Sequence, residues 1–348
     1  MERVLVCILA GTRASRLTFA SFKKHCLDEL NADLGLAILI GEKFDYTNPM
    51  WQHAKYRWTA PVCSDYGLAF DFVQRWLCQQ LNVPAPDWRP ALKTKGIWQG
   101  GLQSEDSQPS ASSILPFCRW LLLNGLQQDQ IIGRYDRFVI TRSDFVWLCP
   151  HPPMSILDRD AIWLPDGEDY GGLNDRHMVV SRVELINCLN VIEEVLLHPI
   201  QFCEAMQKQP DYGLRNDELV LAHHFERTGL LNRVKRFPYV MYTAREVNDE
   251  SPTWSPGHYE PSVGHYVKYE KEFRSACAYA TIIRSRADWE NGRWRQIDPT
   301  LVSTRAAPLF RHFCYNCQSM YYSIKSALKR PRRIKRFLNY VKYLTRRS

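Results

Sequence analysis

The sequence predicts an α/β protein built on a mostly parallel sheet with helices on its faces, and three observations lead there. Residues 4–9 form a continuous β-prone apolar run, 15–30 carry a helical stripe, and 34–40 form a second apolar run ended by Gly41. Strands apolar at every position are buried on both sides, which short β-α-β connections produce in a parallel sheet. A further β-prone run, 137–141, stops abruptly at Arg142-Ser143-Asp144. Composition agrees: 45 % hydrophobic and 24 % charged residues over 348 positions is ordinary for a globular chain.

The remaining elements follow from spacing. The pattern predicts helices over 65–81, with Leu68, Phe72, Trp76, Leu77 and Leu81 on one side, and over 114–126, 183–197, 216–227 and 269–283. It predicts strands over 161–164, 178–181 and 234–242. Between 82 and 113, Pro84, Pro86, Pro90, Pro109 and the Gly100-Gly101 pair break any period, so that stretch reads as a long irregular loop, as does 246–265.

Charge divides the chain into two predicted domains. Residues 301–348 hold twelve Lys or Arg and no acid, so 1–300 carry a net −4 although the whole chain carries +8. Pro331 opens a stretch in which Ile334, Phe337, Leu338, Val341 and Leu344 follow helical spacing among the basic residues. A basic amphipathic helix of this kind suits an anionic membrane surface. No apolar run approaches the roughly 18 residues needed to cross a bilayer. The first residues read as a buried strand, unlike a signal peptide. Eleven scattered cysteines read as free thiols in a reducing compartment, and the lone CxxC at Cys314 and Cys317 makes a poor zinc site. The expected location is therefore cytoplasmic and peripheral on the membrane.

Ligands of open parallel sheets sit beyond the carboxyl ends of the strands, and three polar clusters fall there. Gly11, Thr12, Arg13 and Arg16 follow the first strand at a helix start, where backbone N–H groups and guanidinium groups can hold phosphates. Arg142 and Asp144 are two residues apart, so they face the same way from a strand end. Gly171, Gly172, Asn174, Asp175 and Arg176 precede the strand at 178, and the two glycines are expected to let backbone approach a ligand. Asp217 and Glu218 open a later helix, where a carboxylate serves either as a cap or as a base.

A strand ending in Arg-x-Asp, another strand, then Gly-Gly-x-Asn-Asp-Arg and a further strand resembles bacterial and large-virus polysaccharide glycosyltransferases of the GT-A fold. The opening Gly-Thr-Arg turn, the helix at Asn216-Asp217-Glu218 and the segment Lys268-Tyr269-Glu270-Lys271-Glu272 share the resemblance, which spans about residues 3–275. It implies a GT-A-like fold with a basic helical extension. The activity it implies is hexosyl or deoxyhexosyl transfer from a nucleotide diphosphate sugar to a polysaccharide or lipid-linked glycan. Gly11, Thr12, Arg13, Arg16, Arg142, Gly171, Gly172, Asn174 and Arg176 would then bind the donor. Asp144 would hold a divalent ion, manganese or magnesium, and Asp217, Glu218 or the rival Asp175 would be the base. Where such enzymes carry Asp-x-Asp, this chain has Arg142-Ser143-Asp144. Either Asp175, His258 or His265 completes the metal site, or Arg142 takes part of the metal's role.

Two other classes compete. A sulfotransferase-like enzyme would use the first turn as a phosphate loop, but that turn has no lysine and leaves the Gly-Gly-x-Asn-Asp-Arg segment idle. A nucleic-acid-binding protein would use the basic tail, but the acidic body carries no recognised binding motif.

Overall fold

The computed structural model describes residues 2–102, 112–247 and 255–297. Eleven strands occur among them: β1 (Val4–Ala10), β2 (Asp33–Ile40), β3 (Tyr56–Pro61), β4 (Arg137–Thr141), β5 (Phe145–Trp147), β6 (Ile162–Pro165), β7 (Met178–Ser181), β8 (Val234–Phe237), β9 (Met241–Arg245), β10 (His258–Glu260) and β11 (His265–Val267). Seven form one sheet in the order β3-β2-β1-β4-β7-β6-β8. Every strand in it runs the same way except β7, which is antiparallel to both β4 and β6. The mostly parallel α/β architecture with flanking helices is thus as expected from the alternation.

The apolar runs are continuous because both sheet faces are covered. Along β1, Leu5, Cys7 and Leu9 enter one core with the helices Gly67–Leu81 and Ile114–Gln128. Val4, Val6 and Ile8 enter the other, against Phe22, Leu27 and Leu30 of the helical run 15–30. A second, antiparallel sheet, β10-β11-β9-β5, packs beside the first. The chain passes from the large sheet to the small one at residues 142–144, directly after β4, so those residues sit where the two sheets meet.

Three expectations need correction. The helix Gly67–Leu81 buries Phe70, Val73 and Leu77, whereas Leu68, Phe72 and Leu81 are exposed. It is apolar on more than one side, and the buried side is the one onto which Trp88 folds back, 5.5 Å from Phe70 ring to ring. The run 234–242 is two strands in different sheets: Pro238 lacks the N–H a ladder needs, and the chain turns there. The helix expected over 183–197 is broken into Leu185–Leu189 and Glu193–Leu196 by a 3-10 turn, Asn190–Ile192. The basic tail 301–348 and its CxxC lie outside the described residues. The nine described cysteines are free thiols, six of them buried. Among the described residues no helix is long and apolar enough to cross a membrane.

Close packing of helix on sheet makes a testable point at Gly125. A Cβ there would stand 2.3 Å from the Trp58 ring, which is pinned by its Nε1 donating to Asp129 Oδ2 at 2.8 Å. Gly125→Ala is expected to cost about 1–3 kcal/mol in chemical denaturation, the scale of overpacking. A variant as stable as the parent would mean that Trp58 moves aside freely.

Candidate functional site

The site is assembled where β1 and β4 end. Ser143 Oγ lies 2.9 Å from the carbonyl oxygens of both Gly11 and Arg13, its one proton shared between them, and Thr18 donates to the carbonyl of Ser143. These bonds lock the turn after β1 against the turn after β4. Because β7 is antiparallel to β4, with Ile140 opposite Met178, the residues entering β7 reach the same edge. His177 is fixed there by its Nδ1 contact with Thr141 Oγ1 at 3.0 Å. On the small sheet, Ala244 N donates to the Asp144 carbonyl at 2.8 Å and Lys268 N to the Thr243 carbonyl at 2.9 Å, so Lys268 follows β11 toward Asp144.

The cationic half of the site centres on Asp144. Arg142 grips it with two parallel bonds, Nε to Oδ1 at 2.8 Å and Nη2 to Oδ2 at 2.7 Å. Burial alone would raise the Asp144 pKa, but Arg142, helped by Arg13 and Lys268, holds it well below the usual carboxylate range. Lys268 is pushed down to about 7, by burial first and then by repulsion from Arg142, partly offset by Asp144. Arg176 is buried alongside, its Nη1 donating to Glu272 Oε1 at 2.6 Å and its guanidinium 4.0 Å from the Tyr269 ring centre and 5.4 Å from that of Tyr170.

The acidic half comprises Asp175, Asp217 and Glu218. Asn216 is the helix cap, its Oδ1 accepting from Leu219 N at 2.9 Å, so neither Asp217 nor Glu218 is needed for that task. Glu218 keeps part of its surface open, and burial followed by the Asp175 charge lifts its pKa to about 8 against the pull of Arg176 and Arg142. Asp217 lies deeper, pushed well above the usual range by burial, Asp175 and Glu218, while Arg119 opposes. Arg119 runs beneath this group, its Nη2 donating to the Asp175 carbonyl at 2.9 Å.

The glycine pair works differently from the expectation. A Cβ on Gly172 would fall 1.9 Å from the Glu218 carbonyl oxygen, so its bare backbone approaches the first turn of the helix Asp217–Arg227, where a ligand had been expected. Leu173 N then donates to that carbonyl at 2.9 Å. Gly171 supplies a positive φ of 88°. Asn174 is fully buried and braces the loop, donating to the Gly167 carbonyl at 2.8 Å and to Tyr239. Arg16 turns to the loop after β2, bonding Asp45 and Thr47 at 2.8 Å each. Gly11, Thr12 and Arg13 line the β1 turn, with open space beside Gly11. The structure thus brings Arg13, Arg142, Asp144, Asp175, Arg176, Asp217 and Glu218 together and assigns Arg16 and Asn174 to bracing.

Backbone strain marks the same place. Among the described residues, seven other than glycine have positive φ; Asn31, Asn82 and Gln130 follow helices, and the other four are Ala10, Ala14, Glu168 and Tyr170. Those four flank the site on the β1 turn and the loop before Gly172, the kind of concentration found at functional sites.

The fit of a divalent ion was expected to rest on Asp144. Manganese and magnesium need several oxygen ligands, and both Asp144 oxygens are engaged by Arg142 with further cations beside them. His265 Nε2 pairs with the Tyr242 hydroxyl at 2.9 Å, and His258 lies 3.2 Å from Glu270. Among the described residues no three His, Cys, Asp or Glu side chains are arranged to hold a metal. This donor set does not fit a metal held by the protein.

Two site residues escaped the sequence reading. Arg119 carries a signal, a lone charge inside the apolar helical run Phe117-Cys118-Arg119-Trp120-Leu121. Lys268 entered only within the segment Lys268–Glu272 that shares the resemblance, and it was given no role because the short strand before it was not recognised.

No protein-family model matches the chain, and no curated protein does. Among solved structures it is similar to the apo crystal structure of mouse xyloside xylosyltransferase 1, at a TM-score of 0.37 and 9 % identity, covering 69 % of this chain and 86 % of that one.

Removing one member of the Arg142–Asp144 pair leaves the other charge largely buried. Arg142→Ala should therefore lose about 3 kcal/mol of stability, and the double variant with Asp144→Ala should recover part of it. Urea denaturation of the three proteins checks this; equal midpoints would show the pair to be energetically idle.

Proposed function

We propose that the chain is a glycosyltransferase that moves a sugar from a nucleotide diphosphate sugar to an acceptor hydroxyl. The observation that carries this reading is one strand-end site with two halves. One is a cationic face of Arg13, Arg142 and Lys268; the other is a carboxyl, Glu218, whose proton is exchangeable near neutral pH. Such a transfer makes two demands. Negative charge grows on the leaving diphosphate and is stabilised by fixed cations. The acceptor hydroxyl must lose a proton as its oxygen bonds the anomeric carbon.

In the proposed step, the Glu218 carboxylate takes the acceptor proton while the acceptor oxygen forms the new bond to the anomeric carbon. The bond from that carbon to the diphosphate oxygen breaks, and the diphosphate leaves with the electron pair. Asp175 tunes Glu218 by keeping its proton affinity high, and Asp217 and Arg119 support the group from beneath. We further propose a hexose or deoxyhexose as the sugar, with a polysaccharide or lipid-linked glycan as acceptor at the cytoplasmic face of a membrane. The basic segment 301–348 would supply the attachment.

Screening nucleotide sugars for turnover tests the reading. With the productive donor, Glu218→Gln should cut turnover about 100-fold or more, the scale of general-base catalysis, without lowering the melting temperature. Activity should rise with pH as Glu218 ionises, near pH 8 before substrate shifts it. Asp175→Asn removes a charge that raises this pKa, so the rising limb should move to lower pH. A Glu218→Gln variant with full turnover would remove that residue from the mechanism.

The tail makes a separate prediction. Each basic residue near an anionic leaflet contributes on the order of 1 kcal/mol, so the full chain should float with phosphatidylserine vesicles and less with neutral ones. Deleting 330–348 should abolish flotation and spare soluble turnover. Equal flotation with both vesicle types would count against the proposed attachment.

A further inference from the structure

We infer that the donor's diphosphate is held by the protein's own cations, Arg13, Arg142 and Lys268, and that binding requires no divalent ion. This rests on the transferase reading but concerns its anion subsite alone.

The charges around Asp144 do not cancel. Asp144 answers Arg142, and Glu272 answers the neighbouring Arg176. Arg13 and Lys268 both act electrostatically on Asp144, yet neither makes an ion pair among the described residues. Lys268 is crowded by like charges from Arg142, Arg13 and Arg176, a repulsion that an incoming anion relieves. Arg142 spends Nε and Nη2 on Asp144, so its Nη1 remains as the edge of a partly exposed side chain. A guanidinium fixed by a carboxylate is pre-oriented, and its remaining N–H groups suit a phosphate oxygen. The turn bearing Arg13 is held by Ser143, and there is open space beside Gly11 for the ligand.

The ion that a second carboxylate would have held is replaced, in this arrangement, by charge that never leaves the protein. The Arg142–Asp144 pair acts as a brace for a cationic cradle. Asp144 here is a positioning residue: it fixes Arg142 and does not itself touch the diphosphate.

Calorimetric titration of the full chain with inorganic pyrophosphate, in buffer containing EDTA, tests this without any sugar or nucleobase. Saturable binding is expected in EDTA. Lys268→Met and Arg13→Gln should each weaken it about tenfold, the worth of a charge-assisted contact, with Lys268→Arg retaining most of it. Arg13 is exposed, so its variant should fold even if the one at Lys268 does not. Binding that appears only when manganese is added would overturn the inference, as would EDTA binding that neither substitution weakens. If pyrophosphate binds as expected but no nucleotide sugar is turned over, the anion subsite stands and the transferase reading falls.

Discussion

Leu173 reaches the carbonyl of Glu218 with its backbone N–H, and it does so because Gly172 has no side chain to hold the two backbones apart. Much else in the site depends on this contact. It seats the 166–177 loop on the first turn of the helix Asp217–Arg227, and so brings Asp175 beside Glu218 and Asp217. Burial first, and then the Asp175 charge, raise the proton affinity of Glu218. The same seating carries the chain into β7 in register with β4, which delivers Arg176 toward Arg142. One missing methyl group thus determines both the spacing of the acids and their distance from the cations.

The two halves of the site are electrostatically distinct but not independent. Arg142 and Arg176 lower the proton affinity of Glu218 while Asp175 raises it, and Arg119 pulls Asp217 down while its acidic neighbours push it up. A donor whose diphosphate neutralises the cationic half would weaken the first influence and leave the second in place. Under the proposed transfer, bound donor would therefore make Glu218 a stronger base for the acceptor's proton. Coupling of this kind needs no conformational change, only fixed groups within electrostatic reach of one another.

Local periodicity made the sheet legible, because buried parallel strands announce themselves as short runs such as Val4–Ala10 and Arg137–Thr141. The small sheet was less so. Phe145–Trp147, His258–Glu260 and His265–Val267 are three residues each, too short for a period of two to register. That loss hid the duty of Lys268. In the site, residue types were legible but their duties were not. Asp217 and Glu218 could be read as caps or as a base until Asn216 was seen to fill the capping role. Asn174 and Arg16 looked like ligand contacts, and their partners turned out to be within the chain. Helix 67–81 is ambiguous for another reason: an element apolar on two sides offers two stripes, and the buried one is the one that meets the sheet-side core, with Trp88 from a loop packed on it.

The strained backbone at Ala10, Ala14, Glu168 and Tyr170 bears on what the site is built to do. None of these four side chains gains from the left-handed region, so the two turns hold Ala10 and Ala14, and Glu168 and Tyr170, there against their preference, each position costing on the order of 1–3 kcal/mol. The restraint at the first turn is visible: Ser143 bonds two carbonyls of the segment between Ala10 and Ala14, and Thr18 bonds Ser143 in turn. At the second, Asp169 accepts from Asn174 N and from Arg236 Nη1, both at 2.9 Å, between the two strained residues. Electrostatic stabilisation of a departing anion is strongest when the donors need not reorganise as charge develops. Loops held in costly conformations by bonds to the sheet satisfy that requirement, because the same bonds that impose the strain prevent the cations they carry from relaxing away.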